Sequence, residues 1–349
     1  MDPIIYVIPK IDEIIELNTK NFRYGQKPSP RLLKYGFNNI TEQLDLETIT
    51  SVEQYRAGLN FDFENNNENS ISTKLSILFK VKNIDITFAE FWEILILFGL
   101  LKKDQNIYTS NAKTMNDITN AYLNMSDTKN KYNITDSEKT KSGISLVVYK
   151  YADSNVDIDE NVGAQLLSNN LTDLISMQNK GASMIIQLFG MQTQISAEFI
   201  YYLSSLYNEA YLIKPIVSSD LSNSRYIVLI GLKDSVSIIP FKSKSKNNTY
   251  LKSIGLTHIP VAIENVIQCM NAKIIPMRYN TYNKIKEYLN TKVYEGATYK
   301  QMIQTQYENA DKWSNLFSNL NRSEQLLNAT LKNSTDSCRS YSELFELLG

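Results

Sequence analysis

The stretch GASMIIQLFG, residues 181–190, decides how this chain is read. It is a short apolar run, and short apolar runs bounded by turn residues are the mark of strands buried inside a sheet. One polar residue, Gln187, interrupts it. Taken alone, that glutamine is a core amide hydrogen-bonded to a neighbour.

Working outward, the run SAEFIYYLSSLYNE (196–209) carries apolar residues at helical spacing, and AYLIKPI (210–216) and SRYIVLIGL (224–232) follow as strands. On the other side lie strand ISLVVYKY (144–151) and helix NVGAQLLSNNLTDLISMQ (161–178). Further upstream the reading gives strand NIDITF (83–88), helix AEFWEILILFGLLKK (89–103) and strand QNIYTS (105–110), with the polar stretch 124–142 as a loop. Strands alternating with amphipathic helices predict an α/β fold with a doubly wound parallel sheet, here closed by an antiparallel edge. Residues 1–65, punctuated by Pro9, Pro28 and Pro30, read as an N-terminal arm or cap, 66–240 as the sheet domain and 241–349 as a helical C-terminal region, with no convincing strand beyond Pro260.

Composition narrows the function. With 349 residues and 43% hydrophobic content the chain buries a sizeable core. Lys and Arg number 36 against 37 Asp and Glu, so no bulk field draws it to nucleic acid, and RNA contact would need a local patch. Two cysteines, Cys269 and Cys338, make no disulfide framework, and a single histidine, His258, excludes metal motifs built on a His pair. The first residues, MDPIIYVIPK, lack the basic start of a secretory signal, and the most apolar window (88–103) holds Glu90 and Glu93 and is too short to span a bilayer. The expectation is a cytoplasmic protein with no membrane partner.

Candidate sites are few. All 12 glycines are isolated and none forms a GxG pair, so no phosphate-cradling loop is visible. The first strand-to-helix turn, read at ITFAEFW, carries bulky Phe88, Glu90 and Phe91 where a cofactor needs room. His258, just before a helix, reads as a capping or packing residue. Asp153, Asp157, Asp159 and Glu160 could pair for a divalent ion, but read more simply as a solvated loop lending negative charge to the next helix start. Lys242, Lys244 and Lys246, with Lys252 and Tyr250 nearby, are the candidate phosphate contacts for RNA.

Residues 143–233 resemble the RNA ribose 2'-O-methyltransferases of the FtsJ type, particularly the cap methyltransferases and the FtsJ-like proteins of large DNA viruses. SLVVYKYADSNVDIDEN is similar to the family's strand and acidic loop, GASMIIQLFG with the following helix and Lys214-Pro215 to its KLF strand and KP end, and SSDLSNSRYIVLIGLK to its closing strand. KPSPRLLKYGFNN (27–39) is faintly similar to the small subunit of the poxvirus mRNA-capping enzyme, an FtsJ-like fold without activity.

The resemblance implies a Rossmann-like methyltransferase sheet and a Lys-Asp-Lys-Glu tetrad that aligns a ribose hydroxyl on the methyl group of S-adenosylmethionine. Carried over residue by residue, the tetrad is degenerate. The central lysine falls on Gln187, the aspartate on Lys150 or with a shift Asp153, and the glutamate on Ser224 or Arg225. The first lysine has no counterpart. What the resemblance implies is a pseudoenzyme without a cofactor, partnered by another protein such as a capping-enzyme large subunit, in host cytoplasm or virion. The alternative is an active cap 2'-O-methyltransferase using S-adenosylmethionine through a displaced tetrad.

Overall fold

The structure, a computed structural model, describes residues 4–26, 68–81, 84–126, 128–137, 142–151, 160–234, 249–256, 258–291, 297–320 and 325–332. Its centre is a seven-stranded sheet built from β1 (Ile4–Ile8), β3 (Gln105–Thr109), β4 (Tyr132–Thr135), β5 (Ile144–Tyr149), β6 (Gln178–Leu188), β7 (Tyr207–Lys214) and β8 (Arg225–Leu232). The spatial order is β1-β7-β8-β6-β5-β3-β4. β4, β3, β5 and β6 pair in parallel, while β8 lies antiparallel between β6 and β7, and β1 lies antiparallel on β7. The expected sheet of α/β type is present. Its antiparallel strand β8 is interior, and the antiparallel edge comes instead from β1, inside the stretch read as a separate arm. Tyr6 and Ile8 of that strand join one face of the core and Ile5 the other, which ties the first residues into the domain.

Two apolar clusters lie on opposite faces of the sheet, and the period-2 alternation of the strands sends side chains to both. Met184, Ile186 and Leu188 of β6 face α4 (Glu160–Ser176), α5 (Gln194–Leu206) and α6 (Val261–Thr291). Ile185 faces α1 (Glu68–Phe79), α2 (Ile86–Leu97), α3 (Ala112–Ser126) and α7 (Ala297–Phe317). A second, two-stranded sheet joins β2 (Arg23–Gly25) to β9 (Tyr250–Ser253). β9 falls inside the stretch 241–349 read as helical, while beyond Pro260 the described residues hold no strand, as expected.

Two elements differ from the sequence reading. The described part of NIDITF, 84–88, is not a strand: Asp85 accepts a hydrogen bond from the backbone of Phe88 at 2.8 Å and caps α2, which begins at Ile86. All twelve residues of α2 are buried, and a helix buried on every side carries no periodic signal to separate it from a buried strand. The polar stretch after α3 contains β4, an edge strand whose only aliphatic residue is Ile134. The Asn106–Asn133 side-chain bond at 2.9 Å runs beside the ladder that seats it on β3.

Candidate functional site

The order of the strands reverses between β3 and β5: from β3 the chain moves outward to β4, then crosses to the other side. In open α/β sheets ligands bind outside the carboxyl ends of the strands at such a reversal. The first parallel strand-to-helix turn is therefore Thr109-Ser110-Asn111, not the segment around Phe88, which lies in α2. It too lacks glycine. The Asn111 side chain caps α3 by accepting from the Thr114 backbone at 3.0 Å. The Thr109 hydroxyl accepts from the Asn111 backbone at 3.2 Å, and the Ser110 hydroxyl from the Lys150 backbone at 3.0 Å. The groups that would meet a ligand at this helix start are turned to the chain itself.

The three degenerate positions lie together along the carboxyl edge. The Gln187 side-chain oxygen accepts from the Tyr151 backbone at 3.1 Å, and its amide nitrogen donates to the Ser224 hydroxyl at 2.8 Å, so one amide stitches the end of β5 to the start of β8 across β6. Lys150, 8% exposed, points to the α2 face, where its ammonium donates to Glu90 at 3.0 Å and Thr87 at 2.9 Å. Arg225, the shifted alternative to Ser224, is fully buried and held by Asn271 and Asn223.

Around Lys150 the structure assembles a buried polar cluster whose glutamates, along the sequence, serve only to exclude a membrane helix. Glu90 accepts from Lys150, from the Tyr226 hydroxyl at 2.7 Å and from Ser218. Burial raises its carboxyl, but the Lys150 charge and the hydrogen bonds from Ser218, Tyr226 and Lys150 outweigh that and leave it below the ordinary glutamate value. One turn on, Glu93 accepts from the Ile216 backbone at 2.8 Å and the Trp313 indole at 2.7 Å. Burial pushes its carboxyl up to about 8, only partly offset by those bonds and reinforced by Glu90. Two glutamates three residues apart thus sit in opposite states, Glu90 ionised and Glu93 protonated at neutral pH. At the end of β7, Lys214 donates to the carbonyls of Ser219 at 2.8 Å and Ser222 at 3.0 Å, and burial, then the Arg225 charge, lowers its ammonium to about 8.

On the opposite face a row of rings runs along the same edge. Tyr108 and Tyr149 are parallel at 6.5 Å, Tyr149 meets Tyr151 edge-on at 4.8 Å, and Tyr151 meets Phe189 at 6.0 Å. Beside Phe189, a cavity of about 20 Å³ is lined by Glu160, Gly163, Gln187, Gly190 and Ser196 among others, space on the scale of a water molecule. Glu160 starts α4, as its charge led us to expect, and also caps the entry to α5, accepting from the Gln192 and Thr193 backbones at 2.9 Å and from the Thr193 hydroxyl at 2.7 Å.

Asp153, Asp157 and Asp159, and Lys242, Lys244 and Lys246, lie outside the described residues. His258 is exposed ahead of α6, and the first turn of that helix is anchored on the Pro260 carbonyl instead. Cys269 is buried. Among the described residues no three of His, Cys, Asp and Glu stand close enough to hold a metal ion, and no helix is long and apolar enough to cross a membrane.

Fold and edge together define a doubly wound α/β protein, with a mostly parallel sheet flanked by helices and a carboxyl edge packed with its own side chains. No protein-family model matches the sequence. The chain is 42% identical over 352 residues, covering 99% of both sequences, to a protein of Acanthamoeba polyphaga mimivirus that carries the name "Uncharacterized protein R383", and it belongs to the family of that protein.

Proposed function

We propose that the chain is a catalytically inactive FtsJ-like methyltransferase-fold protein that acts as a noncatalytic partner, stimulatory or structural, in viral mRNA capping and methylation or in the virion. The observation that carries this reading is the occupation of the carboxyl edge. Where the resemblance places an aspartate, Lys150 stands with its charge already neutralised by Glu90. Where it places the central lysine, Gln187 has no basic lone pair to offer, and both ends of its amide are engaged by Tyr151 and Ser224. The turn that would cradle the cofactor is Thr109-Ser110-Asn111, and its amides donate to the Val148 carbonyl and the Thr109 hydroxyl. The row Tyr108, Tyr149, Tyr151 and Phe189 fills the same edge from the other face. The strand order, with β8 antiparallel between β6 and β7, supports the methyltransferase type of sheet, and the mimivirus relative supports a viral setting.

The residues present do not suit S-adenosylmethionine. A sulfonium cation gains nothing beside a lysine at the end of β5, and the first turn offers no glycine for close backbone approach. The test is calorimetric titration of the full chain with S-adenosylmethionine, together with methyl transfer to capped RNA. The expected result is neither binding nor transfer. Micromolar binding or turnover would overturn the proposal in favour of an active cap 2'-O-methyltransferase. Its positive arm is coexpression with the large capping subunit of the same virus, where a stable complex with a raised capping or methylation rate is expected.

A further inference from the structure

The strand β4 closes one side of the seven-stranded sheet, and among the described residues no strand pairs on its outer side. The Lys131 carbonyl accepts from the Gln105 backbone at 3.1 Å. Along a strand the N–H and C=O of one residue point to one neighbour and those of the next residue point away. Lys131, Asn133 and Thr135 therefore turn their backbone to β3, while Tyr132 and Ile134 turn theirs outward. We propose that this edge pairs with the β4 edge of a second copy of the chain, antiparallel about a two-fold axis at Asn133, so that two seven-stranded sheets join into one.

The edge is undefended and complementary to itself. Natural edge strands are blunted by lysine, proline or a bulge, whereas Tyr132–Thr135 holds none of these and keeps an unbroken register on β3. With Asn133 opposite its mate, the outward N–H and C=O of Tyr132 meet those of Ile134 in the second copy, and the reverse, which gives two hydrogen-bonded pairs of an aromatic with a β-branched side chain. On the α3 face Tyr122, Met125, Tyr132 and Ile134 are only half-buried at the rim of the core, and the second copy would cover them. On the other face the Asn133 amide donates to Asn106 at 2.9 Å, and Asn106 donates to the Gly143 carbonyl at 3.0 Å. The second N–H and the oxygen of Asn133 are the donor and acceptor that its own mate requires, so the bonded amides continue across the axis.

Charge sets the direction of pairing. Lys129 and Lys131 lead into β4 beside Asp104, whose carboxylate accepts from the Lys131 backbone at 3.0 Å, and Asp136 follows the strand. Among the described residues the flanks of β4 thus carry a net positive charge at one end and a negative charge at the other. An antiparallel mate sets unlike ends together, and a parallel one would set like ends together. Four strand residues and a helix rim from each copy make a small contact, in the weak class below about 1,200 Å² of total buried surface, so the dimer should come and go with concentration. The inference stands on the sheet edge alone and does not depend on the methyltransferase reading.

Light scattering on the full chain over a dilution series should show the mass rising from one chain towards two. Ile134→Pro removes an outward N–H and leaves the ladder to β3, because proline is tolerated on an edge strand where its nitrogen faces away from the sheet. That variant should be monomeric at every concentration with unchanged far-UV circular dichroism. In a Cys338→Ser background, Asn133→Cys sets two thiols in a directly opposed, non-hydrogen-bonded pair within disulfide reach, so mild oxidation should yield a crosslinked dimer. Ile134→Cys, whose thiol would face Tyr132 of the mate, should yield none. If Ile134→Pro loses its circular dichroism, the two cysteine variants decide the matter alone. A parent that stays monomeric up to about 100 μM, whatever other chain its edge accepts, overturns the proposal. So does a dimer that persists in folded Ile134→Pro, or a crosslink at residue 134 in place of 133.

Discussion

Replacing Lys150 by methionine tests the buried cluster most sharply, because the structure fixes how the cost must depend on pH. The substitution keeps the volume of the side chain near its path to α2 but removes the cation that pairs with Glu90. Glu90 then has two courses. It can remain ionised in a buried site, which costs about 3–5 kcal/mol for an unpaired buried charge. It can instead take up a proton, and from the ordinary value of 4.5 that costs about 1.4 kcal/mol for each pH unit above it, so about 3.4 kcal/mol at pH 7 and about 0.7 at pH 5. At pH 7 the two courses are comparable, and a destabilisation of about 3 kcal/mol is expected. At pH 5 protonation is far cheaper, and the destabilisation should shrink by about 2.7 kcal/mol. In the unmodified chain the sign is the ordinary one for a lowered carboxyl: its stabilisation is complete above 4.5 and fades only as pH falls below it, so the difference between variant and parent isolates the Glu90 proton. Urea unfolding of both chains at pH 5, 6 and 7, followed by tryptophan fluorescence, measures it. The double variant Glu90→Gln, Lys150→Met, having no carboxylate there, should show no such slope. A cost below about 1 kcal/mol at pH 7, or one equal at pH 5 and pH 7, would refute the account of Lys150 as the counter-charge of Glu90.

Three further outcomes are expected. Glu93 has its carboxyl raised from 4.5 to about 8, so the stability it confers is full below 4.5 and is lost as pH rises towards 8; relative to Glu93→Gln, the parent should lose up to about 1.4 kcal/mol per pH unit across that window in denaturant melts. Gly190 holds a φ of +119°, and an added Cβ would meet the Asn223 amide at 2.6 Å and the Glu160 carboxylate at 2.7 Å; Gly190→Ala should cost about 1–3 kcal/mol and disturb the start of α5, read as a lower melting temperature. Gln187→Lys should produce no methyl transfer to capped RNA, because the turn at Thr109-Ser110-Asn111 still lacks a cofactor cradle, and it should lower stability by removing the acceptor of the Tyr151 backbone; transfer above background would contradict the inactive reading.

Much of the fold was legible. The runs at 144–151, 161–178, 181–189, 196–209 and 224–232 became β5, α4, β6, α5 and β8 because each pairs a clear period with an apolar face. The errors fell where period carries no information. NIDITF misled because α2 is buried on every side, and its true signal was the capping Asp85. β4 was missed because an edge strand needs little apolar content, and β1 was set apart because pairing with β7 joins residues more than two hundred positions distant. The candidate site was half legible. Gln187, Lys150 and Ser224 could be singled out in order along the chain, whereas Glu90 and Glu93 looked only like charges that spoil a membrane span.

Sequence by itself determined the local terms: an α/β alternation, a chain without a glycine cradle or a histidine pair, and an amide in the middle of an apolar strand. Those properties depend on neighbours within a few residues, and the chain carries them wherever it goes. Tertiary structure alone decided the charge states. Glu90 is ionised because folding brings Lys150, sixty positions away, and Tyr226 to one of its oxygens and Ser218 to the other, and the Glu93 carboxyl is raised because folding seals it under Trp313 with no lysine or arginine paired to it among the described residues. Desolvation and Coulomb pairing act across space, over a few ångströms, and no spacing along the chain encodes them.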